Sequence, residues 1–139
     1  MFVSRDMIQQ LIEQVALVVL RAAGLRRNGK LKEAEEELAK GMHQISGGPM
    51  EMLESVDAYT AATLLGDAAA VRAYADFVAE RGFVRLEAGD QPASQLDLER
   101  AMMLYERALE LGHQQAWPRE GVEQARAALN QVREALSEQ

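Results

Sequence analysis

Apolar residues recur every three or four positions along most of this chain, and polar residues fill the positions between them. This spacing is typical of amphipathic helices rather than strands, which alternate at every second residue. The first stretch predicts a helix over residues 4–27, with Ser4 as its N-cap, and the turn at residues 28–29 ends it. A second helix is expected over residues 30–45, so residues 1–46 predict an antiparallel helix hairpin.

Glycine and proline mark the start of an irregular helical segment over residues 48–66. Two adjacent glycines followed by Pro49 break the chain, because glycine frees the backbone and proline suits the first turn of a new helix. Short helices are expected at residues 50–54 and 56–65, and Gly66 stops the second of them.

The rest of the chain predicts a second helix hairpin over residues 67–112 and a C-terminal capping helix over residues 117–137. The hairpin begins with Asp67 as an N-cap. An inserted loop is expected within it at residues 89–97, and this loop ends in a capping box that starts at Ser94.

No segment alternates as a strand would, so the sequence predicts an all-α protein. We expect a single domain, residues 1–139, of about seven helices packed as a compact right-handed bundle. A chain of this length buries enough surface to form one core without disulfides, and it contains no cysteine.

Two of the predicted helices share one pattern of large and small residues. In each, a Leu is followed by an Ala after three positions, a large apolar residue after four more, and a small residue after three more. The two sets are Leu31, Ala34, Leu38 and Gly41, and Leu98, Ala101, Tyr105 and Ala108. The recurrence indicates that related helix pairs occur twice.

These helices, with the helices before them, resemble the helix pairs of the tetratricopeptide family. That family places a small residue in the first helix, a Gly at the turn, and an Ala and a large apolar residue in the second helix. The matching positions are Ala22, Gly29, Ala34 and Leu38 in one pair and Gly82, Gly89, Ala101 and Tyr105 in the other. Leu25 stands where the family often has Tyr, and residues 48–66 match no pair. The chain is similar to degenerate tetratricopeptide-like domains of small bacterial proteins.

The resemblance implies a protein-protein interaction or scaffold module that binds a protein or peptide partner. Tetratricopeptide proteins usually bind on the surface that the first helix of each pair lines. The candidate interaction face here consists of Ala16, Val19, Ala23, Arg26, Phe83 and Leu86, with Asp76 and Ala79 also turned inward. The combination of Lys, Asn and Arg side chains with which some members of the family grip a terminal carboxylate is missing from this face.

The run from Val15 to Leu20 is apolar on every side of the first helix. Such a helix must be covered all round, either by other helices of the same chain, by a second chain or by an amphipathic peptide. We therefore expect self-association, as a homodimer, as part of the function.

A concentrated positive patch surrounds the first turn, in a chain whose net charge is −7. This candidate anion patch consists of Arg21, Arg26, Arg27, Lys30 and Lys32. Basic groups near a helix C-terminus are favoured by the helix dipole, so a structural role competes with an anion or acidic-peptide site. The acidic balance opposes binding to nucleic acid or to an anionic membrane.

Nothing in the sequence predicts catalysis, a cofactor or a metal site. His43 and His113 fall at the ends of different helices, without the spacing of metal ligands or a catalytic pair. The chain starts without a signal-peptide pattern, and its longest uninterrupted apolar run is far shorter than a membrane span, so a cytoplasmic protein without membrane contact is expected. The alternative function is a small-molecule or peptide sensor with a pocket near the first helix and the basic turn.

Overall fold

The computed structural model describes residues 5–46 and 49–139, and these residues form seven helices. The helices are α1 (Arg5–Arg27), α2 (Leu31–Ser46), α3 (Pro49–Glu54), α4 (Ala58–Leu65), α5 (Ala68–Glu87), α6 (Gln91–Gln114) and α7 (Arg119–Ser137). The predicted all-α class is thereby confirmed, and most predicted helices begin and end within two residues of the observed positions. The expected Ser4 cap and the glycines at 47 and 48 lie outside the described residues.

The predicted inserted loop at residues 89–97 is wrong, because α6 begins at Gln91. Asp90 is the N-cap, and its side chain accepts a hydrogen bond from the backbone N–H of Ala93 at 3.3 Å. Pro92 therefore stands in the first turn of the helix, where its missing N–H costs nothing. The expected capping box lies within α6 instead, where Ser94 is fully buried.

Helix α5 lies at the centre of the bundle and packs against α1, α2, α4, α6 and α7. Its many alanines allow close approach from several sides, and Val71, Phe77 and Val78 are fully buried among the neighbours. One hydrophobic cluster runs continuously from Leu11 in α1 to Val132 in α7. The core therefore forms around α5 rather than between two separate hairpins.

Two glycines permit the closest helix contacts. A Cβ added at Gly41 would lie 2.6 Å from the Val18 side chain, and one added at Gly82 would lie 2.8 Å from Leu98. Any larger residue at either position would push α1 from α2, or α5 from α6. These glycines fix the distance between the two helices of each pair.

A network of buried charges holds α3 and the turn after it against α5 and α6. Arg81 donates hydrogen bonds to both carboxylate oxygens of Asp97, at 3.0 and 3.1 Å, and to Glu54 at 2.6 Å. Arg100 donates to the backbone carbonyls of Leu53 at 2.6 Å and Val56 at 2.8 Å. Since Leu53 lies in the last turn of a very short helix and Val56 follows it, the Arg100 side chain supplies partners that the end of the helix lacks.

Trp117 fixes the start of α7. Its ring packs against Gly112 at the end of α6 and Gly121 in the first turn of α7, and its backbone N–H donates to the Gly112 carbonyl at 2.8 Å. A Cβ added at Gly112 would lie 2.5 Å from the ring. The indole thus acts as a wedge between the last two helices.

Two Gly-to-Ala substitutions are expected to change stability in opposite directions. Gly24→Ala should raise the free energy of unfolding by about 0.5–1 kcal/mol, because glycine weakens a helix interior and nothing lies within 4 Å of the added Cβ. Gly112→Ala should lower it by about 1–3 kcal/mol, because the added methyl group overlaps the Trp117 ring. Urea unfolding in dilute solution, followed by the fluorescence of the single tryptophan, measures both; equal effects would contradict the described packing.

Candidate interaction groove

A groove of about 660 Å³ lies between α1, α5 and α7 and opens to solvent. Helix α1 forms one wall, α5 forms the floor, and α7 with the turn before it forms the other wall. Most of the surface that lines the groove is apolar.

The α1 wall consists of apolar side chains that the rest of the described chain leaves partly uncovered. It is formed by Ile12, Ala16, Val19, Leu20 and Ala23. Leu20 is 66% exposed, whereas Val15 and Val18 on the other side of the helix are buried against the core. The opposite wall is more polar and carries Glu120, Gln124 and Gln131.

Polar side chains one helical turn apart follow the floor of the groove at positions 72, 76 and 80 of α5. The Arg72 guanidinium lies 2.8 Å from the Asp76 carboxylate and donates a hydrogen bond to Gln124 of α7 at 3.0 Å. The Tyr105 hydroxyl of α6 donates a hydrogen bond to the other Asp76 oxygen. The floor charges are therefore neutralised within the protein.

At the far end of the floor, Arg26 of α1 forms ion pairs with two carboxylates of α5. Its guanidinium donates to both oxygens of Glu80, at 2.6 and 3.2 Å, and to Glu87 at 2.9 Å. It also lies 5.4 Å from the centre of the Phe83 ring. A bidentate ion pair of this kind fixes the C-terminal turn of α1 against α5.

Burial changes the acidity of the floor groups. It raises the pKa of Asp76 above its ordinary value, although Arg72 and the Tyr105 hydroxyl favour the charged form. It likewise raises the pKa of Glu80, against the opposing effect of Arg26. The pKa of the Tyr105 hydroxyl is raised well above its usual range, since the ring is buried beside a carboxylate.

The structure brings five of the six residues of the candidate interaction face to this groove. Ala16, Val19, Ala23 and Arg26 line it from α1, and Phe83 lines it from α5. Leu86 is half-buried outside the groove lining, near the end of α5. Asp76 and Ala79 also line the floor, as expected from their helix position.

The candidate anion patch is partly neutralised by carboxylates of the same chain. Arg21 forms an ion pair with Glu37 at 3.0 Å, and Arg26 is held by Glu80 and Glu87. Arg27 lies at the groove, whereas Lys30 and Lys32 are exposed around the turn. The five basic residues therefore do not converge on one site.

Sequence reasoning missed the side chains that complete the groove from α6 and α7. The sequence pattern assigns Tyr105 only to helix packing and names no site at Trp117, yet both line the groove. The i, i+4 spacing of Arg72, Asp76 and Glu80 was a signal that these side chains share one face of α5. Gln124 and Gln131 carried no comparable signal, because exposed glutamines are common on any helix.

Helix α1 is also the one helix among the described residues that is long and apolar enough to cross a membrane. Only 28% of its most apolar window is buried inside the protein. The absence of a long uninterrupted apolar run therefore does not by itself exclude a membrane span, because the mean hydropathy and the length of α1 are both sufficient for one. In this fold, the apolar residues of α1 that are not buried form an exposed apolar surface.

The raised pKa of Asp76 predicts a specific pH dependence of stability. The native state binds this proton more readily than the unfolded chain, so the wild-type protein should gain stability relative to Asp76→Asn as the pH falls from about 7 towards 3.8, the ordinary Asp value. Asn keeps an oxygen that accepts the Tyr105 hydrogen bond, so the helices should remain in place. Urea unfolding of both proteins across this pH range measures the difference.

Asp57→Asn supplies the control for this prediction. Hydrogen bonds from the backbone and side chain of Thr60 hold the pKa of Asp57 below its usual value. The stability advantage of wild type over this variant should therefore shrink as the pH falls below 3.8, the ordinary Asp value, so unfolding of this pair is also measured below that pH. The same trend in both variants would contradict the assignment of Asp76.

No protein-family model, curated protein or solved structure matches this chain.

Proposed function

We propose that this protein is a protein-protein interaction module of tetratricopeptide-like type, which binds a helical segment of a partner protein in the groove and catalyses no reaction. The observation that carries the proposal is the apolar α1 wall, which borders a groove of about 660 Å³ and is left partly uncovered by the described chain. An apolar groove of this form suits an amphipathic helix that lays its apolar face inward.

The arrangement of the helices supports the tetratricopeptide-like part of the proposal. The first helices of the two pairs, α1 and α5, both line the groove, and α7 adds a third wall. Within each pair a glycine sets the close approach, between Gly41 and Val18 in one and between Gly82 and Leu98 in the other. The family binds its peptides on the corresponding surface.

The paired charges of the floor favour binding over catalysis. Asp76 is engaged by Arg72 and Tyr105, and Glu80 by Arg26, so neither carboxylate is held ready to take a proton from a ligand. Paired charges also give a charged ligand little to attract it. We therefore expect apolar contacts with α1 to supply most of the affinity, and the polar α7 wall to supply specificity.

A small-molecule sensor is the second candidate. The volume of the groove falls within the range of about 300–1,000 Å³ that is usual for ligand pockets. Its open form and long apolar wall favour a peptide, because a small ligand needs a site that encloses most of its surface.

Panning of a displayed library of 16-residue peptides against the immobilised protein tests the proposal. Enriched peptides should carry apolar residues at i, i+3 or i+4, and i+7. When these peptides are synthesised, they should bind the wild-type protein in a titration. Ala69→Glu places a charge on the groove floor and should weaken binding at least about tenfold, since a peptide would have to bury that charge.

Leu17→Glu is the matched control, because Leu17 is an exposed apolar residue of α1 outside the groove lining. This variant should bind the same peptides as tightly as wild type. Circular dichroism and urea unfolding establish that both variants are folded. Failure to enrich helical peptides, or equal binding by Ala69→Glu, would contradict a peptide-binding groove.

A further inference from the structure

A second stripe follows the solvent side of α1 and shares Leu20 and Arg27 with the groove lining. Glu13, Leu17, Leu20, Gly24 and Arg27 recur at intervals of four, three, four and three residues, which is the spacing of a helix-helix seam. We call these five residues the α1 seam. Leu17 is 51% exposed and Leu20 is 66% exposed. Since α1 packs against α2 and α5, on its other sides, the described chain leaves the seam uncovered.

Gly24 is the residue of the seam that packing within the chain does not explain. A Cβ added at Gly41, Gly82, Gly112 or Gly121 would lie within 2.9 Å of a neighbouring side chain, so each of these helical glycines makes room for a contact. A Cβ added at Gly24 meets nothing within 4 Å. Glycine nevertheless weakens a helix interior at this position. A close contact with another chain explains why this position is glycine.

The charges at the two ends of the seam are opposite and symmetric. Glu13 lies seven residues before Leu20, and Arg27 lies seven residues after it. If a second copy of α1 runs antiparallel with Leu20 on the two-fold axis, each Glu13 faces the Arg27 of the other copy. In the same register each Gly24 faces the exposed Ala16, so that the helices approach closely at two symmetric points.

We propose that two copies of this protein associate through the α1 seam as antiparallel helices related by a two-fold axis at Leu20. In this register Glu13 faces Arg27, Ala16 faces Gly24 and Leu20 faces its own copy, so the contact is complementary to itself in charge and in size, which is the property that an isologous interface requires. This inference deepens the self-association expected of the proposed interaction module, and it names the partner as a second copy of the chain. Ala16, Leu20 and Arg27 also line the groove, so the dimer contact and the groove wall overlap along one edge of the helix.

Charge reversal tests the pairing. In sedimentation velocity at low salt, over protein concentrations from about 1 µM to 1 mM, the wild-type protein should shift from monomer to dimer. Glu13→Arg and Arg27→Glu should each weaken the dimer about tenfold, because each puts like charges together at both ends of the seam. The double variant should restore wild-type affinity.

Restored dimerisation in the double variant distinguishes a contact between two chains from a contact within one chain. Glu13 and Arg27 are about 21 Å apart along one helix, at 1.5 Å per residue, so they form no pair in the monomer. A parallel dimer would place like residues together and would not be restored by the double variant. The proposed pairing therefore requires that the double variant dimerises as tightly as wild type and that both single variants dimerise more weakly.

Disulfide formation provides a second measurement of the register. The chain contains no cysteine, so single substitutions give unambiguous products. Leu20→Cys should form a covalent dimer under mild oxidation, because the two residues meet on the axis. Glu13→Cys, whose two copies lie about 21 Å apart in this register, should not. Equal cross-linking of both would overturn the antiparallel register.

The remaining outcomes separate this inference from the proposed function. Leu17→Glu should abolish the dimer and leave peptide binding intact, whereas Ala69→Glu should weaken peptide binding and leave the dimer intact. A wild-type protein that stays monomeric at 1 mM overturns the inference without affecting the groove. A monomer that binds vesicles of phosphatidylcholine, with loss of that binding in Leu17→Glu, would assign the seam to a lipid surface and would likewise overturn it.

Discussion

Burial of α5 among five other helices is the constraint on which the rest of the structure depends. The helix is rich in alanine and can be approached from several sides, yet it also carries charged residues along its length. Removing a charge from water costs several kcal/mol unless an opposite charge replaces the lost hydration. Three other helices accordingly supply partners: Arg26 comes from α1, Glu54 from α3 and Asp97 from α6.

These ion pairs also give the two sides of α5 different properties. On one side, Arg81 joins α3 and α6 in a closed network, so the short helices are held tightly over that part of the core. On the other side, Arg72, Asp76 and Glu80 pair at the floor of the groove, and no helix of the described chain covers them completely. The groove is thus the side of α5 on which charge is neutralised but apolar surface remains exposed.

Helix α1 takes part in two surfaces for the same reason. Among the described residues it packs closely against α2 and α5, so one side is buried and much of the rest remains in solvent. The groove wall and the α1 seam together account for its unusual apolarity, with Leu20 at the border between them. An exposed apolar area of this kind on a folded protein commonly marks an interaction surface. The proposed peptide site and the proposed dimer contact are therefore consequences of one helix that the fold does not fully enclose.

The sequence by itself determined the helices, because the spacing of apolar residues and the positions of Gly66, Asp67 and Gly89 depend on local geometry. It also determined which side of α1 and of α5 faces the groove, with the exception of Leu86. The start of α6 was misjudged, because Pro92 can either end a segment or occupy a first turn, and the Asp90 cap decides between them. Only the tertiary structure decided that α5 is central, that Arg26 is held by Glu80 across 54 residues, and that Tyr105 and α7 complete the groove. These pairings join distant parts of the chain, and no local pattern specifies which distant charges meet.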